Sequence, residues 1–193
     1  NKFSTALTFA LVLPLFAQAG NWWMDNLDPA HWTATWATAN KRITAFDAPL
    51  DTINNATLRQ IVRISEAGRK VRVSFSNEFG TTPLIINEAH VALRDRGSAI
   101  VERSGNQLTF SSSYSVSIPP GARIISDPVD MNVANNAEVV ISAYLPDDVT
   151  GLDRHELAKR HAVVGRGGAS RTLAAQPGHL NARTVVTALV HVA

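Results

Sequence analysis

Lys70-Val71-Arg72-Val73-Ser74-Phe75-Ser76 alternates apolar and polar side chains without a break. Val71, Val73 and Phe75 share one face, and Arg72, Ser74 and Ser76 share the other. A period of two is the mark of a half-buried β-strand. Just upstream, residues 58–65 form a second apolar-rich run. Glu66-Ala67-Gly68-Arg69 between them is the size of a hairpin turn, with a glycine available for positive φ. Working outward, Ala89, Val91 and Leu93 alternate with His90, Ala92 and Arg94. Tyr114, Val116 and Ile118 alternate with Ser115 and Ser117 until Pro119-Pro120-Gly121 stops the strand. Residues 138–145 are apolar on both faces, which predicts a central strand. Residues 184–192 form another nearly continuous apolar run.

Helical signals are weak, the best being a turn or two over residues 153–160. No glycine-rich phosphate loop follows a strand, so a nucleotide-binding α/β unit is not expected. About ten short strands separated by frequent turn signals indicate an all-β fold, an antiparallel β-sandwich of jelly-roll-like type.

The chain has 193 residues, enough for one domain or one domain with an appendage. It is 45% hydrophobic and 18% charged, which supports a buried core and excludes the disordered class. Eighteen Lys and Arg against 16 Asp and Glu leave +2. They are not clustered, so nucleic acid is not an expected partner. With no cysteine, disulfides, Cys-ligated metals and thiol nucleophiles are excluded.

Lys2, the apolar run 6–16 and Ala17-Gln18-Ala19 read as a cleavable signal peptide over residues 1–19. The run of about 11 residues is shorter than the ~20 needed to cross a bilayer, so the mature chain is not expected to be transmembrane. A secreted or periplasmic bacterial protein is the expectation. The first residue is not Met, which suggests a sequence that starts inside a longer reading frame. Beyond the signal, residues 20–31 read as an extended lead-in and 32–164 as the β-sandwich. Residues 165–181, rich in Gly, Ala and Arg, read as a loop or linker, and 182–193 as a final strand.

The chemistry-bearing residues form no convincing active site. Ser98 and Ser170 follow small residues but do not sit between a hydrophobic strand and a helix, where a nucleophile would be exposed. His31, His90, His155, His161, His179 and His191 include no i, i+4 pair with a Glu between them. Asp153-Arg154-His155-Glu156 reads as a solvated turn before it reads as an acid–base or metal site. Asp147-Asp148 and Asp127 with Asp130 lie in Pro-containing turns, where Asp serves the backbone. His191 alternates with Leu189 on an apolar strand and reads as a core or interface histidine. No catalytic residue, metal site or cofactor is expected from these patterns. Trp22, Trp23, Trp32 and Trp36 crowd one short window, and Trp32 and Trp36 share strand parity. Two readings stay open: core or domain-interface contacts, and a stacking platform for carbohydrate.

Several blocks, in order, carry a resemblance. They are Trp32-Thr-Ala-Thr-Trp36-Ala-Thr-Ala39, Thr57-Leu-Arg-Gln-Ile61, and Val71-Arg-Val-Ser-Phe-Ser-Asn77-Glu-Phe79-Gly80-Thr-Thr-Pro83-Leu84. Ala89-His-Val-Ala-Leu93, Val116-Ser-Ile-Pro-Pro-Gly-Ala122, Ser126-Asp-Pro-Val129 and Val140-Ile-Ser-Ala-Tyr-Leu-Pro146 continue it. Over roughly residues 32–152 the chain resembles the N-terminal β-rich region of secreted bacterial SGNH/GDSL-type hydrolases. The resemblance implies a parent serine esterase or lipase whose Gly-Asp-Ser block and triad lie in a following hydrolase domain. It transfers no catalytic residue to this chain. The expected function is therefore the non-catalytic β-sandwich portion of such an enzyme. Its partners would be the missing C-terminal hydrolase domain and, through the tryptophans, a carbohydrate or lipid surface. A carbohydrate-binding module is the alternative.

Within those blocks, Arg72 and Asn77-Glu78-Phe79-Gly80 stand out. Asn77 and Gly80 bracket a tight turn at the end of a clean strand, with Phe79 as its plug and Arg72 free to pair with Glu78 or a partner domain. They read either as a structural corner or as a rim lent to a neighbouring active site. The apolar run 184–192 is expected to expose an inter-domain surface.

Overall fold

A computed structural model describes residues 31–37, 39–40, 42, 55–149, 162–166 and 187–193. The signal peptide expected over residues 1–19, Trp22, Trp23, the helical turn expected over residues 153–160, Ser170 and residues 167–181 lie outside the described residues. The chain divides into two compact units, Asn1–His31 and Trp32–Ala193, and every strand described below belongs to the second.

Alternation becomes strand at almost every point where the sequence shows it. The first sheet contains β1 (Thr33–Ala37), β3 (Gly68–Ser76), β8 (Arg123–Ile125), β9 (Val129–Val133) and β12 (Thr187–Val192). Its order is β1-β12-β3, with β8 and β9 sharing the far edge of β3. The second sheet runs β11 (Ala162–Arg166), β2 (Ala56–Arg63), β10 (Glu138–Leu145), β5 (Glu88–Leu93), β6 (Asn106–Leu108). A short ribbon pairs β4 (Leu84–Ile86) with β7 (Val116–Ile118). All of these pairs are antiparallel.

Both sheets and the ribbon feed one buried cluster, which makes the fold an antiparallel β-sandwich. Val71, Val73 and Phe75 of β3 are each 0% exposed. They meet Leu58 and Val62 of β2, Val139, Ile141, Ala143 and Leu145 of β10, and Ala89 and Val91 of β5 in that cluster. The Phe75 ring meets Phe110 edge-on, with centroids 5.7 Å apart. β10 lies between β2 and β5, the central place that its two apolar faces predict.

Three expectations are corrected. First, β2 and β3 are not a hairpin; they lie in different sheets and do not pair. The chain changes sheets at residues 64–67 and is tied down from elsewhere. Ile64 N–H donates to Ala137 C=O, Ser65 N–H to Thr35 C=O, and Ala67 N–H to Asn135 Oδ1. Gly68 is needed for space rather than for a positive φ. A Cβ there would stand 2.8 Å from Val192 Cβ and 2.9 Å from Ala193 O. Second, Tyr114 is not in a strand. It is 59% exposed in a turn before β7, where the Asp127 carboxylate accepts hydrogen bonds from Thr109 Oγ1 and from Ser111 and Ser112 N–H. Ser111 and Ser112 have φ of 51° and 67°, and the carboxylate holds that costly conformation in place. Third, Gly165 and Arg166 belong to β11, which extends past the expected sandwich boundary at residue 164. Within the apolar run 184–192, β12 is interior to its sheet and Val190 and Val192 are buried in the core.

Gly68→Ala forces backbone or Val192 to shift and is expected to lower the unfolding free energy. Gly105→Ala, whose added Cβ would find no atom nearer than 4.0 Å, serves as the matched control and is expected to be nearly neutral. Urea denaturation of the two variants checks this, and equal midpoints would refute the steric account.

Candidate functional site

Of the singled-out residues, Trp32, Arg72 and His191 share the outer face of the first sheet, and residues 77–80 form the corner at the end of β3. β1 pairs with β12 through Thr33↔Val192 and Ala34↔His191, then slips by a residue so that Trp36 faces Val190. A bulge of this kind breaks strand parity. Trp36 is half-buried against the core, whereas Trp32 lies on the opposite face under the Arg72 guanidinium, 4.2 Å from the ring centroid. The two indoles therefore do not form one stacking platform. A guanidinium over an indole is worth about 0.5–2 kcal/mol, depending on how dry the pair is.

His191 sits directly across from Arg72, with Ala34 on its other side. Arg72 Nε and His191 Nδ1 are both buried and have no hydrogen-bond partner. Burial first, and the Arg72 charge second, hold the His191 pKa below its ordinary value. Arg72 does not pair with Glu78. The Glu78 carboxylate instead accepts from Arg123, through Nε at 3.1 Å and through Nη2.

The corner after β3 is organised by Asn77, which is buried. Its Nδ2 donates to Thr82 C=O (2.9 Å) and Ile118 C=O (2.8 Å). Its backbone N–H donates to Ala122 C=O, and its own C=O accepts from Gly80 and Gly121 N–H. Through its side chain and its backbone, this one residue joins the end of β3, the approach to β4, the end of β7 and the turn between β7 and β8. Any Cβ at residue 80 would lie 1.8 Å from Asn77 Oδ1, so only glycine fits. Phe79 is half-buried rather than a full plug, with the Arg42 guanidinium 5.3 Å above its ring.

A third cluster escaped the sequence reading. Arg59, Ser142 and His90 are buried side by side on the outer face of the second sheet. Arg59 Nε donates to Ser142 Oγ at 3.0 Å and Nη1 donates to Ser98 C=O at 2.8 Å. Glu88 Oε1 is 3.6 Å from His90 Nε2. Serine, histidine and carboxylate thus share a sheet face, but the Ser142 oxygen is bonded by a guanidinium, which cannot take its proton. The available signal was polar residues at outer-face positions of central strands. It was lost because alternation itself puts polar residues there.

Among the described residues no group of three or more His, Cys, Asp or Glu could hold a metal ion. No helix there is long and apolar enough to cross a membrane. No protein-family model matches the chain, and comparison with curated proteins finds no relative.

Asn77→Ala leaves two carbonyls without their side-chain donor and is expected to cost about 1–3 kcal/mol in chemical denaturation. The His191 pKa is depressed in the folded state, so the unfolded state binds the proton more readily. Stability from this site is present above the ordinary value of 6.5 and falls as pH drops through the folded-state value. His191→Gln is expected to flatten that part of a melting-midpoint-versus-pH curve. A superimposable curve would remove His191 from the account.

Proposed function

We propose that this chain is the non-catalytic β-sandwich portion of a secreted ester hydrolase of the SGNH/GDSL type, exported by a signal peptide. One observation carries the reading: the blocks of resemblance fall on the skeleton of the sandwich. Trp32–Ala39 covers β1, Val71–Leu84 covers β3 and the Asn77 corner, and Val140–Pro146 covers central β10. A likeness confined to strands and corners is one of scaffold, not of reacting groups. Ser142, across the sheet from His90, accepts a hydrogen bond from the Arg59 guanidinium, which cannot act as its base.

On this reading the domain's work is mechanical. The face holding Trp32, Arg72 and His191, together with the Asn77–Gly80 corner, packs against the hydrolase domain or borders its substrate entrance. Acyl transfer needs a nucleophile, a base and oxyanion donors, and these belong to the partner. The carbohydrate alternative is weakened by the split of Trp32 and Trp36 to opposite faces.

The coding sequence beyond Ala193 is expected to open a Gly-Asp-Ser block after a hydrophobic strand; a reading frame that lacks one would overturn the proposal. The purified chain is expected to leave p-nitrophenyl esters intact. Turnover that disappears on replacing a single serine would contradict the non-catalytic assignment. Polysaccharide titrations are expected to leave tryptophan fluorescence flat, and a saturating change would favour the sugar-binding alternative.

A further inference from the structure

Around Arg72 the outer face of the first sheet is built by several strands. Alternation along β3 puts Arg72 and Ser74 on that face. Register places His191 opposite Arg72, and Leu189 of β12 and Ile125 of β8 on either side of Ser74. Ala34 stands beyond His191, and Trp32 lies under the guanidinium. These surroundings are apolar yet partly open to solvent. Ile125 is 40% exposed, Leu189 is half-buried and Ala34 is exposed.

Arg72 itself is half-buried and unneutralised. Arg94, also half-buried, is met by Glu138. Among the described residues no carboxylate pairs with Arg72: Glu78 is taken by Arg123, and Asp130 pairs with Lys70. Stacking on Trp32 engages a face of the guanidinium and leaves its N–H edge to donate.

We propose that Arg72 anchors a docking surface that takes one Asp or Glu carboxylate of the hydrolase domain. The inference rests on the function proposed above and names the contact that joins the two domains at this face. The charge matches. Burial and Arg72 keep His191 neutral at neutral pH, so one positive charge meets one carboxylate. The shape matches too, since a planar guanidinium holds a carboxylate through two parallel N–H···O bonds. Neutral His191 keeps one ring N–H beside it. The Trp32 stack holds the guanidinium in place beforehand, so less side-chain freedom is lost on binding. Trp32, Leu189 and Ile125 exclude water from the pair once a partner surface covers them, as around an interface hot spot. A free ion gains the charge contact without that covering, which is why the occupant is a protein surface.

Nuclear magnetic resonance tests this in two steps. In this chain, sodium acetate exchanged for sodium chloride at constant ionic strength is expected to shift the Arg72 Nε–H and His191 ring signals. Both shifts are expected to vanish in Arg72→Gln, with its melting midpoint checking that the variant folds. In the chain joined to its hydrolase domain, the His191 pKa is expected to lie about one unit above that of this chain alone. Replacing a single Asp or Glu of that domain by Asn or Gln is expected to reverse the rise. Acetate that leaves both residues unmoved, or a joined protein whose His191 titrates as in this chain alone, would overturn the proposal. Polygalacturonate that moves the same signals at far lower concentration than acetate would give the face to an acidic polysaccharide instead. A reading frame with no hydrolase domain would defeat the proposed function and this occupant with it. That failure is told apart from failure of the site, because acetate would still move Arg72 and His191.

Discussion

The strand β3 must satisfy two edges and one face at once, and the rest of the fold depends on its doing so. One edge pairs with β12, while the other is divided between β8 at its end and β9 at its start. Its apolar face supplies Val71, Val73 and Phe75 to the core. Each of the three has partners in the opposite sheet, so a one-residue slip would turn them outward and Arg72 and Ser74 inward. Register is therefore held from both sides. Ser126 contributes to it directly: its N–H donates to Val73 C=O, and its Oγ accepts from Val73 N–H.

The outer face of the same strand explains why the candidate site lies where it does. Alternation sends Arg72 outward, register places His191 beside it, and the Trp32 ring lies beneath its guanidinium. No residue of this trio is near another in sequence. The corner that follows works differently, because Asn77 and Gly80 are three residues apart and fix one another by contact. The first is a surface assembled by pairing, and the second is a joint that anchors the strand end beneath it.

Much of this was legible in the sequence, and the failures share a cause. Residues 70–76 read as a strand because a period of two is a local property. Residues 138–145 read as central because burial on both faces is written in composition. The sheet change after Arg63 was not legible, since a short polar connection serves a hairpin and a crossover equally well. What decides between them is Ala137, Thr35 and Asn135, all remote in sequence. The bulge in β1 likewise depends on β12, more than 150 residues away, and so the parity of Trp32 and Trp36 misled. The Arg59–Ser142–His90 row draws on three strands, and each strand alone shows only an ordinary polar position.

The position of β12 also bears on how the chain acquires this structure. It is the last of the described strands, yet it fills the slot between β1 and β3. During synthesis, β2, β5, β6 and β10 are all made before it, so most of the second sheet can assemble early. The first sheet has to wait with a gap at its middle. Until residues 187–192 arrive, the apolar strand β3 presents an unpaired edge, a template for another chain. Closing the gap brings together residues far apart in sequence, which is slow. A nascent or partly unfolded molecule is therefore most exposed to misassembly at the strand that later becomes the most protected.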